Sequence, residues 1–501
     1  MPLLNAIAHR EEVKQHRPWP RVPVAEQGWR QAIDLLAQGH CTLLAMWGDA
    51  PAVHVALLGE VFDDVAVLTY TCKNDQYPSV GAKHPPALRL ERAIRDLCGL
   101  EAVDATDARP WLDLGFWNVR HPLGKQGAAR KPAPYKFLPV EGEGLHQIPV
   151  GPVHAGIIEP GHFRFTANGE HVVRLEQRLG WVHKGIERLM DGAPLDEAAK
   201  LASRASGDST VAYAVAFAQA AESALQVKAP PRAIYLRALM AEMERLANHF
   251  GDIGAICNDA SFSLMHAQCG ILREWTLRAA EASFAHRLMM DVIIPGGVIR
   301  DITKNGITQI TALLAEVRHV FPRLVELYDN TASLQDRTVT TGIVKPELAR
   351  QFGAGGYVGR ASSRAFDARR AFAYAPYNKL SFDVPVLDTG DVNARVWIRI
   401  SEVEQSLSLI EQILTVLPKG AINVPLGKSK TCEGLGIAEA FRGDVLVWLR
   451  LDGNGRVARC HLRDASWFQW PLLEAAIEGN IVADFPLCNK SFNCSYSGHD
   501  L

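Results

Sequence analysis

Two serines three residues apart, Ser206 and Ser209, share the stretch R-x-S-G-x-S with Arg204, Gly207 and Asp208, and a cysteine and a serine at the same spacing, Cys494 and Ser497, follow far downstream. A serine hydroxyl is a hard donor that keeps its proton far above neutral pH, so of these four side chains only Cys494 offers a soft thiolate to a transition metal. Asp208, set between two hydroxyls and near Arg204 in sequence, is a candidate to accept hydrogen bonds or to move a proton. It reads equally well as an N-cap or first-turn aspartate favoured by a helix dipole. Glu159 and His162 in E-P-G-H-F form a second candidate pair for proton transfer, against the plainer reading that they stitch a turn together. Polar side chains gathered in a cleft must pair with each other, with water or with a ligand, because burying them unpaired is costly.

The elements that must position these residues fall into two parts. From Cys41 to Tyr70 the chain reads as strands (CTLLAMWG, VHVALLG, VFDDVAVLTY) parted by Gly and Asp turns. A helix is predicted over 86–100, with Leu90, Ile94 and Leu97 on one face and Gly99 at its end. The segment 126–150 is rich in Pro, Gly and Lys and reads as a linker or surface arm. Beyond residue 151 comes a β-like segment with a turn at Asn168-Gly169, and then long helices. Leu239, Met243, Leu246, Phe250 and Ile253 step by four and three, as do Ile310, Leu314, Val317, Phe321, Leu324 and Tyr328. Ile400, Val403, Leu407, Ile410, Leu414 and Leu417 repeat the pattern ahead of Pro418. One apolar stripe per helix predicts a helical bundle whose stripes are packing surface. The expected fold class is α+β: a small N-terminal α+β domain (1–125), a linker (126–150) and a mainly helical domain with a small β-sheet (151–501).

Composition excludes several function classes. The chain has 501 residues, 48% hydrophobic and 22% charged, with a formal net charge of −2, which offers no electrostatic footing for nucleic acid or an anionic membrane surface. Nine scattered cysteines contain no C-x-x-C pair, so neither a zinc knuckle nor a disulfide framework is indicated. The first residues lack the apolar core and cleavage site of a signal peptide, and no apolar run approaches the roughly 20 residues that span a bilayer. No G-x-G-x-x-G follows a strand in a βαβ setting, so this chain is not expected to bind NAD. A membrane connection is expected only through partners.

Several separated motifs then carry a resemblance. Residues 76–123, with Y-P-S, E-R-x-x-x-D-L and H-P-L, resemble the 30-kDa subunit of respiratory complex I. Residues 151–501 resemble the complex I 49-kDa subunit and the large subunit of group 4 NiFe hydrogenases of the formate hydrogenlyase, energy-converting type. The matching stretches are GPVHAGIIEPGHFRF, WVHKGIE, PGGVIRD, QDRT, GRASSRAFDAR, GIAEAFRGD and RDASWFQWP, in the family's order.

The resemblance gives the four opening positions a meaning. In the family the two stretches read R-x-C-G-x-C and C-x-x-C, and their four thiolates hold nickel and iron. Here three of the four are serine, which implies a member without the NiFe centre, so no metal is expected in this chain. In complex I relatives the same pocket takes a quinone headgroup through a His and a Tyr. His162 stands at the first position, but Gly207 stands at the second, with Tyr213 two helical turns on. Arg442 would reach over the metal's diatomic ligands, and Phe441 replaces the usual Pro. Arg204, Ser206, Ser209, Tyr213, Arg442, Cys494 and Ser497, with His162, are therefore the expected lining of a vestigial metal pocket. Glu159, His162 and Asp208 are the proton-transfer candidates. Arg360, Asp367 and Arg369 are expected to form an ion-pair network in its wall, and His183 and Cys488 to be buried structural residues.

By resemblance the partners are an iron–sulfur small subunit of the complex I 20-kDa type and membrane antiporter-like and anchor subunits. The chain itself would carry no cofactor, with quinone as a candidate ligand, and would lie in the cytoplasm, peripheral to the inner membrane. The expected function is electron transfer from the partner's cluster to a quinone or other acceptor, coupled to ion translocation. A non-catalytic scaffold is the alternative, and an active NiFe hydrogenase the third reading.

Overall fold

A computed structural model describes residues 2–61, 63–427 and 430–501. It is a mixed α and β structure with several small sheets. The predicted N-terminal strands are Thr42–Asp49, Ala52–Leu58 and Val65–Thr71, joined antiparallel, with Arg21–Val24 added in parallel to the last. The helix Leu88–Cys98 packs on this sheet and stops at Gly99, whose φ of 75° is the left-handed conformation that glycine adopts without strain. The last residues of the expected linker are not loop: Leu145–Val150 is a strand pairing with His162–Asn168, which turns at Asn168-Gly169 into His171–Arg178.

Each striped segment is a helix: Pro231–Asp259, Lys304–Asn330 and Val392–Val416, joined by Ser263–Phe284. Their apolar positions close into one core in which Leu239, Met243, Phe250, Val317, Val403, Leu407 and Ile410 are fully buried. The helix Thr210–Leu225 has no stripe, because it is buried on nearly all sides. Its alanines lie against the strand Cys432–Ala440, where a Cβ on Gly434 or Gly436 would collide with the carbonyl oxygens of Ala220 and Ala216. That strand, with Gly443–Leu451 and Val457–Arg463, forms an antiparallel sheet whose residues are buried on both faces. Strands covered on both sides lose the alternation that betrays a strand in sequence.

The two parts share a core. His16–Arg17 pairs in parallel with Glu433–Gly434 at the edge of the C-terminal sheet, and Arg21 forms a bidentate pair with Glu433 at 2.7 and 2.9 Å. Trp47 stacks on His461 with ring centroids 5.1 Å apart. One apolar cluster runs from Trp29, Ile94 and Trp111 to Phe163, Tyr357 and Trp470. Arg360, Asp367 and Arg369 are almost wholly buried: Arg369 meets Asp367 at 2.7 Å and Glu242 at 2.9 Å, and Arg360 meets Glu402 at 2.5 Å and Glu439 at 3.0 Å. Glu242, Arg360, Glu402 and Glu439 sit on four separate elements, so breaking one pair strands a buried charge and loosens them together.

Candidate functional site

The R-x-S-G-x-S stretch follows the short helix Leu195–Ala202 and enters the Thr210–Leu225 helix through a single 3-10 turn, Gly207–Ser209. Ser206 Oγ donates to Asp208 Oδ1 at 2.7 Å and Ser209 Oγ donates to the same oxygen at 3.3 Å. From the turn after strand Cys432–Ala440, Arg442 donates to Asp208 Oδ2 at 2.6 Å, and its other nitrogen reaches Asp208 Oδ1 and Ser209 Oγ, each at 3.3 Å. Asp208 is therefore neither N-cap nor mere first-turn charge. It is the hub on which two hydroxyls and a buried guanidinium converge. Burial opposes its charge, but Arg442 and Ser206 outweigh that and hold the carboxyl below its usual range.

Of the other expected lining residues, some join this cluster and some do not. Cys494 is buried behind it, its Sγ 4.0 Å from Gln469 Oε1, while Gln469 Nε2 donates to the Arg442 carbonyl at 2.7 Å. Burial pushes the Cys494 thiol up, against the pull of Arg442, so it stays protonated. Tyr213 points inward, donating to Asp464 Oδ2 at 2.8 Å. Ser497 is half-buried, and its amide donates to Glu159 Oε2 at 3.0 Å.

Two expectations need correction. Arg204 turns out of the pocket and clamps Asp291 with two bonds of 2.7 Å, so its closeness to Asp208 in sequence is not closeness in space. His162 faces Gly151 O at 3.2 Å, Arg164 and the Phe137 ring, on the side of the arm, and its hydrogen bonds do not reach the serine cluster. His183 is the structural histidine expected, its Nδ1 2.7 Å from Asp500 O.

Several residues that sequence reasoning missed stand closer. Ser495, not Ser497, meets Ser206, with the two hydroxyls 2.8 Å apart, and it also caps the last helix through Gly498 N. Glu244 accepts the amides of Val211 and Ala212 at 2.7 and 3.1 Å at the start of the Thr210–Leu225 helix. Burial, with Asp208 adding to it, pushes the Glu244 carboxyl up to about 8 against those two bonds. Asn248, one turn on, donates to Asp208 O at 2.8 Å. His154 Nε2 lies 3.1 Å from the hydroxyl of Tyr496, which falls between Cys494 and Ser497 in sequence. The sequence held only a weak signal, Glu244 and Asn248 one turn apart on a helix that also carries Glu242, Arg245 and His249 among its apolar steps.

A cleft of about 140 Å³ opens beside Gly207 and Asp208, with Glu244 and Asn248 in its wall. A Cβ added at Gly207 meets nothing within 4 Å. The NiFe group that the family resemblance implies does not fit these residues. One protonated thiol and hydroxyls committed to Asp208 and Ser495 are not a soft four-sulfur donor set. Among the described residues no three His, Cys, Asp or Glu side chains are placed to hold a metal ion.

Comparison with known proteins fixes the class that this fold and site define. The profile of the family described as the respiratory-chain NADH dehydrogenase 49 Kd subunit matches residues 260–433 and 426–500. Formate hydrogenlyase subunit 5 of Escherichia coli (strain K12) is 32% identical over 445 residues, 85% of this chain and 77% of that protein. The carbon monoxide-induced hydrogenase of Rhodospirillum rubrum is 30% identical over 353 residues, 70% of this chain and 97% of that protein. A component of the NADH-quinone oxidoreductase of Desulfotalea psychrophila is 31% identical over 342 residues, 67% of this chain and 91% of that protein. A chain of the membrane-bound sulfane sulfur reductase, an archaeal respiratory membrane complex, superimposes with a TM-score of 0.68 at 25% identity, over 73% of this chain and all of that one. The chain belongs to the family of group 4 hydrogenase large subunits and complex I 49-kDa subunits. The membrane-bound hydrogenase subunit alpha of Pyrococcus furiosus is a further relative, 28% identical over 365 residues, 69% of this chain and 85% of that protein, and no helix among the described residues of this chain is long and apolar enough to cross a membrane.

Proposed function

We propose that this chain is the large subunit of a membrane-associated, complex I-like oxidoreductase without a nickel–iron centre. It takes electrons from an iron–sulfur cluster in a partner subunit and passes them to a quinone or another acceptor, with protonation at the Asp208 cluster and coupling to ion translocation. The observation that carries this reading is the Asp208–Arg442 clamp. At two of the four positions where the family resemblance calls for thiolates, the hydroxyls of Ser206 and Ser209 hold a carboxylate instead, and the buried guanidinium of Arg442 fixes it at 2.6 Å. Such a cluster suits hydrogen bonding and proton exchange, and it gives a soft metal nothing to bind. The adjoining cleft, at about 140 Å³, is smaller than the roughly 300–1,000 Å³ of typical ligand sites, so a substrate chamber here needs a wall from the partner subunit. Relatives named as NADH-quinone oxidoreductase components and as a sulfane sulfur reductase support an acceptor other than protons.

The same clamp also favours a second reading, a coupling scaffold with a vestigial pocket, because Asp208 and Arg442 satisfy each other without a substrate. Asp208→Asn in the assembled complex separates the two. Under the redox reading, turnover with the physiological donor falls at least about tenfold while the make-up of the complex is unchanged. Under the scaffold reading, turnover is retained whenever the complex assembles.

A further inference from the structure

The chain is near neutral as a whole, but its charge is segregated. Between Asp113 and Glu141 stand five basic residues, Arg120, Lys125, Arg130, Lys131 and Lys136, and no carboxylate. This arm forms a short antiparallel ribbon, Val119–Arg120 with Gly127–Ala128, and then runs extended over the body. Its backbone is pinned from beneath. Arg109 donates to Lys136 O at 2.9 Å, the Leu138 amide donates to Glu176 at 2.9 Å, and Arg174 donates to Pro139 O at 3.0 Å. The five basic side chains are left exposed.

Two further guanidiniums join them from the body: Arg174, and Arg164, whose Cζ lies 4.1 Å from the centre of the Phe137 ring. None of these seven cations is in an ion pair among the described residues, and the carboxylates at the anchoring points, Asp107 and Glu176, are taken by Arg92 and Arg109. An uncompensated basic face of this kind attracts a polyanion. We propose that the arm makes a direct contact with an anionic lipid surface, its cations meeting headgroup phosphates while Phe116 enters the acyl boundary. The inference stands independently of the redox reading.

The apolar residue among the cations selects lipid over other polyanions. Phe116 is 72% exposed. The residue before it touches the arm: a Cβ on Gly115 would fall 2.6 Å from Lys131 O, so Phe116 emerges beside Arg130 and Lys131. Leu138, also exposed, follows Lys136. Single-stranded nucleic acid is held by a row of open aromatic faces. Here the Tyr135 ring is covered by Arg109 at 5.1 Å and the Phe137 ring by Arg164. At a bilayer surface, by contrast, apolar burial and attraction to anionic headgroups add together.

Sedimentation of the full chain with vesicles tests the proposal, using phosphatidylcholine alone and phosphatidylcholine mixed with phosphatidylglycerol. The expected result is binding to the mixed vesicles only, weakening as salt is raised. Replacing Lys125, Arg130, Lys131 and Lys136 together by Gln is expected to weaken it at least about a hundredfold. Replacing four exposed lysines elsewhere, Lys14, Lys228, Lys304 and Lys419, by Gln removes the same charge and is expected to leave binding within about twofold. Phe116→Ala is expected to weaken it about tenfold. Circular dichroism checks the fold of each variant. No preference for the mixed vesicles, an equal loss in the two fourfold variants, or unchanged binding by Phe116→Ala would each overturn the proposal, as would tighter binding to a single-stranded oligonucleotide than to the mixed vesicles. The two vesicle compositions and the oligonucleotide, compared on the unaltered chain, decide the matter should a variant fail to fold.

Discussion

Asp208 ties its own turn to the strand turn at Arg442 through its carboxylate and to the helix Pro231–Asp259 through its carbonyl, so the first of these links is the one most exposed to mutation. Gly207 beside it is the informative control. Its Cβ direction is open and its backbone is not left-handed, so Gly207→Tyr is expected to fold with an apparent Tm within a few degrees of the parent chain. A fall of about ten degrees or more would mean that the cleft is too tight to admit the ring. Glu244 gives a prediction in pH. Its folded pKa of about 8 lies above its ordinary value of 4.5, so the folded state binds this proton more tightly. The stability from that proton is complete below about pH 4.5 and is lost as pH rises through about 8. Apparent Tm is expected to fall between about pH 5 and 8 and to level off above that, and Glu244→Gln, which mimics the neutral carboxyl, to flatten that slope. Glu91, pushed up to about 7 by burial, leaves a residual slope of the same sign. An unchanged slope in Glu244→Gln would contradict the assignment. Sequence spacing revealed Asp208 and both serines, since all three lie in one turn. It hid Ser495 and misplaced Arg204 and His162, because partners 289 positions apart, as Ser206 and Ser495 are, leave no local pattern.

At the scale of elements, the most demanding contact is the alanine-rich helix Thr210–Leu225 lying on the backbone of strand Cys432–Ala440. Helix and strand approach so closely because Gly434 and Gly436 carry no Cβ where Ala220 and Ala216 present their carbonyls. Gly436→Ala is expected to cost about 1–3 kcal/mol, the range for overpacking a rigid core, since backbone on the facing side cannot swing away. Denaturant melts of the variant check this, and a loss under about 0.5 kcal/mol would show that the helix can shift. Lys304–Asn330 was legible because it buries one face and exposes the other, and Pro231–Asp259 and Val392–Val416, though buried on most sides, were legible because buried charged residues interrupt their apolar steps. The Cys432–Arg463 sheet and the Thr210–Leu225 helix were not, because elements covered on all sides have no polar face to mark their period.

For the whole molecule, the boundary expected near residues 126–150 falls on an extended arm, but the apolar core and the Arg21–Glu433 pair cross it. Residues 151–501 expressed alone are therefore expected to expose the apolar surface that Trp29, Ile94 and Trp111 cover, and to aggregate or need the 1–125 fragment for solubility. A soluble, cooperatively melting 151–501 fragment would show the two parts to be independent. The central claim is that this frame of a hydrogenase large subunit, with Ser206, Ser209 and Ser497 beside a single buried thiol at Cys494, works without nickel. The most direct test is elemental analysis of the intact complex purified from its native host with nickel in the medium. Far less than one nickel per chain and no hydrogen uptake is the expected result; one nickel per chain, with hydrogen uptake lost on Cys494→Ala, would contradict it.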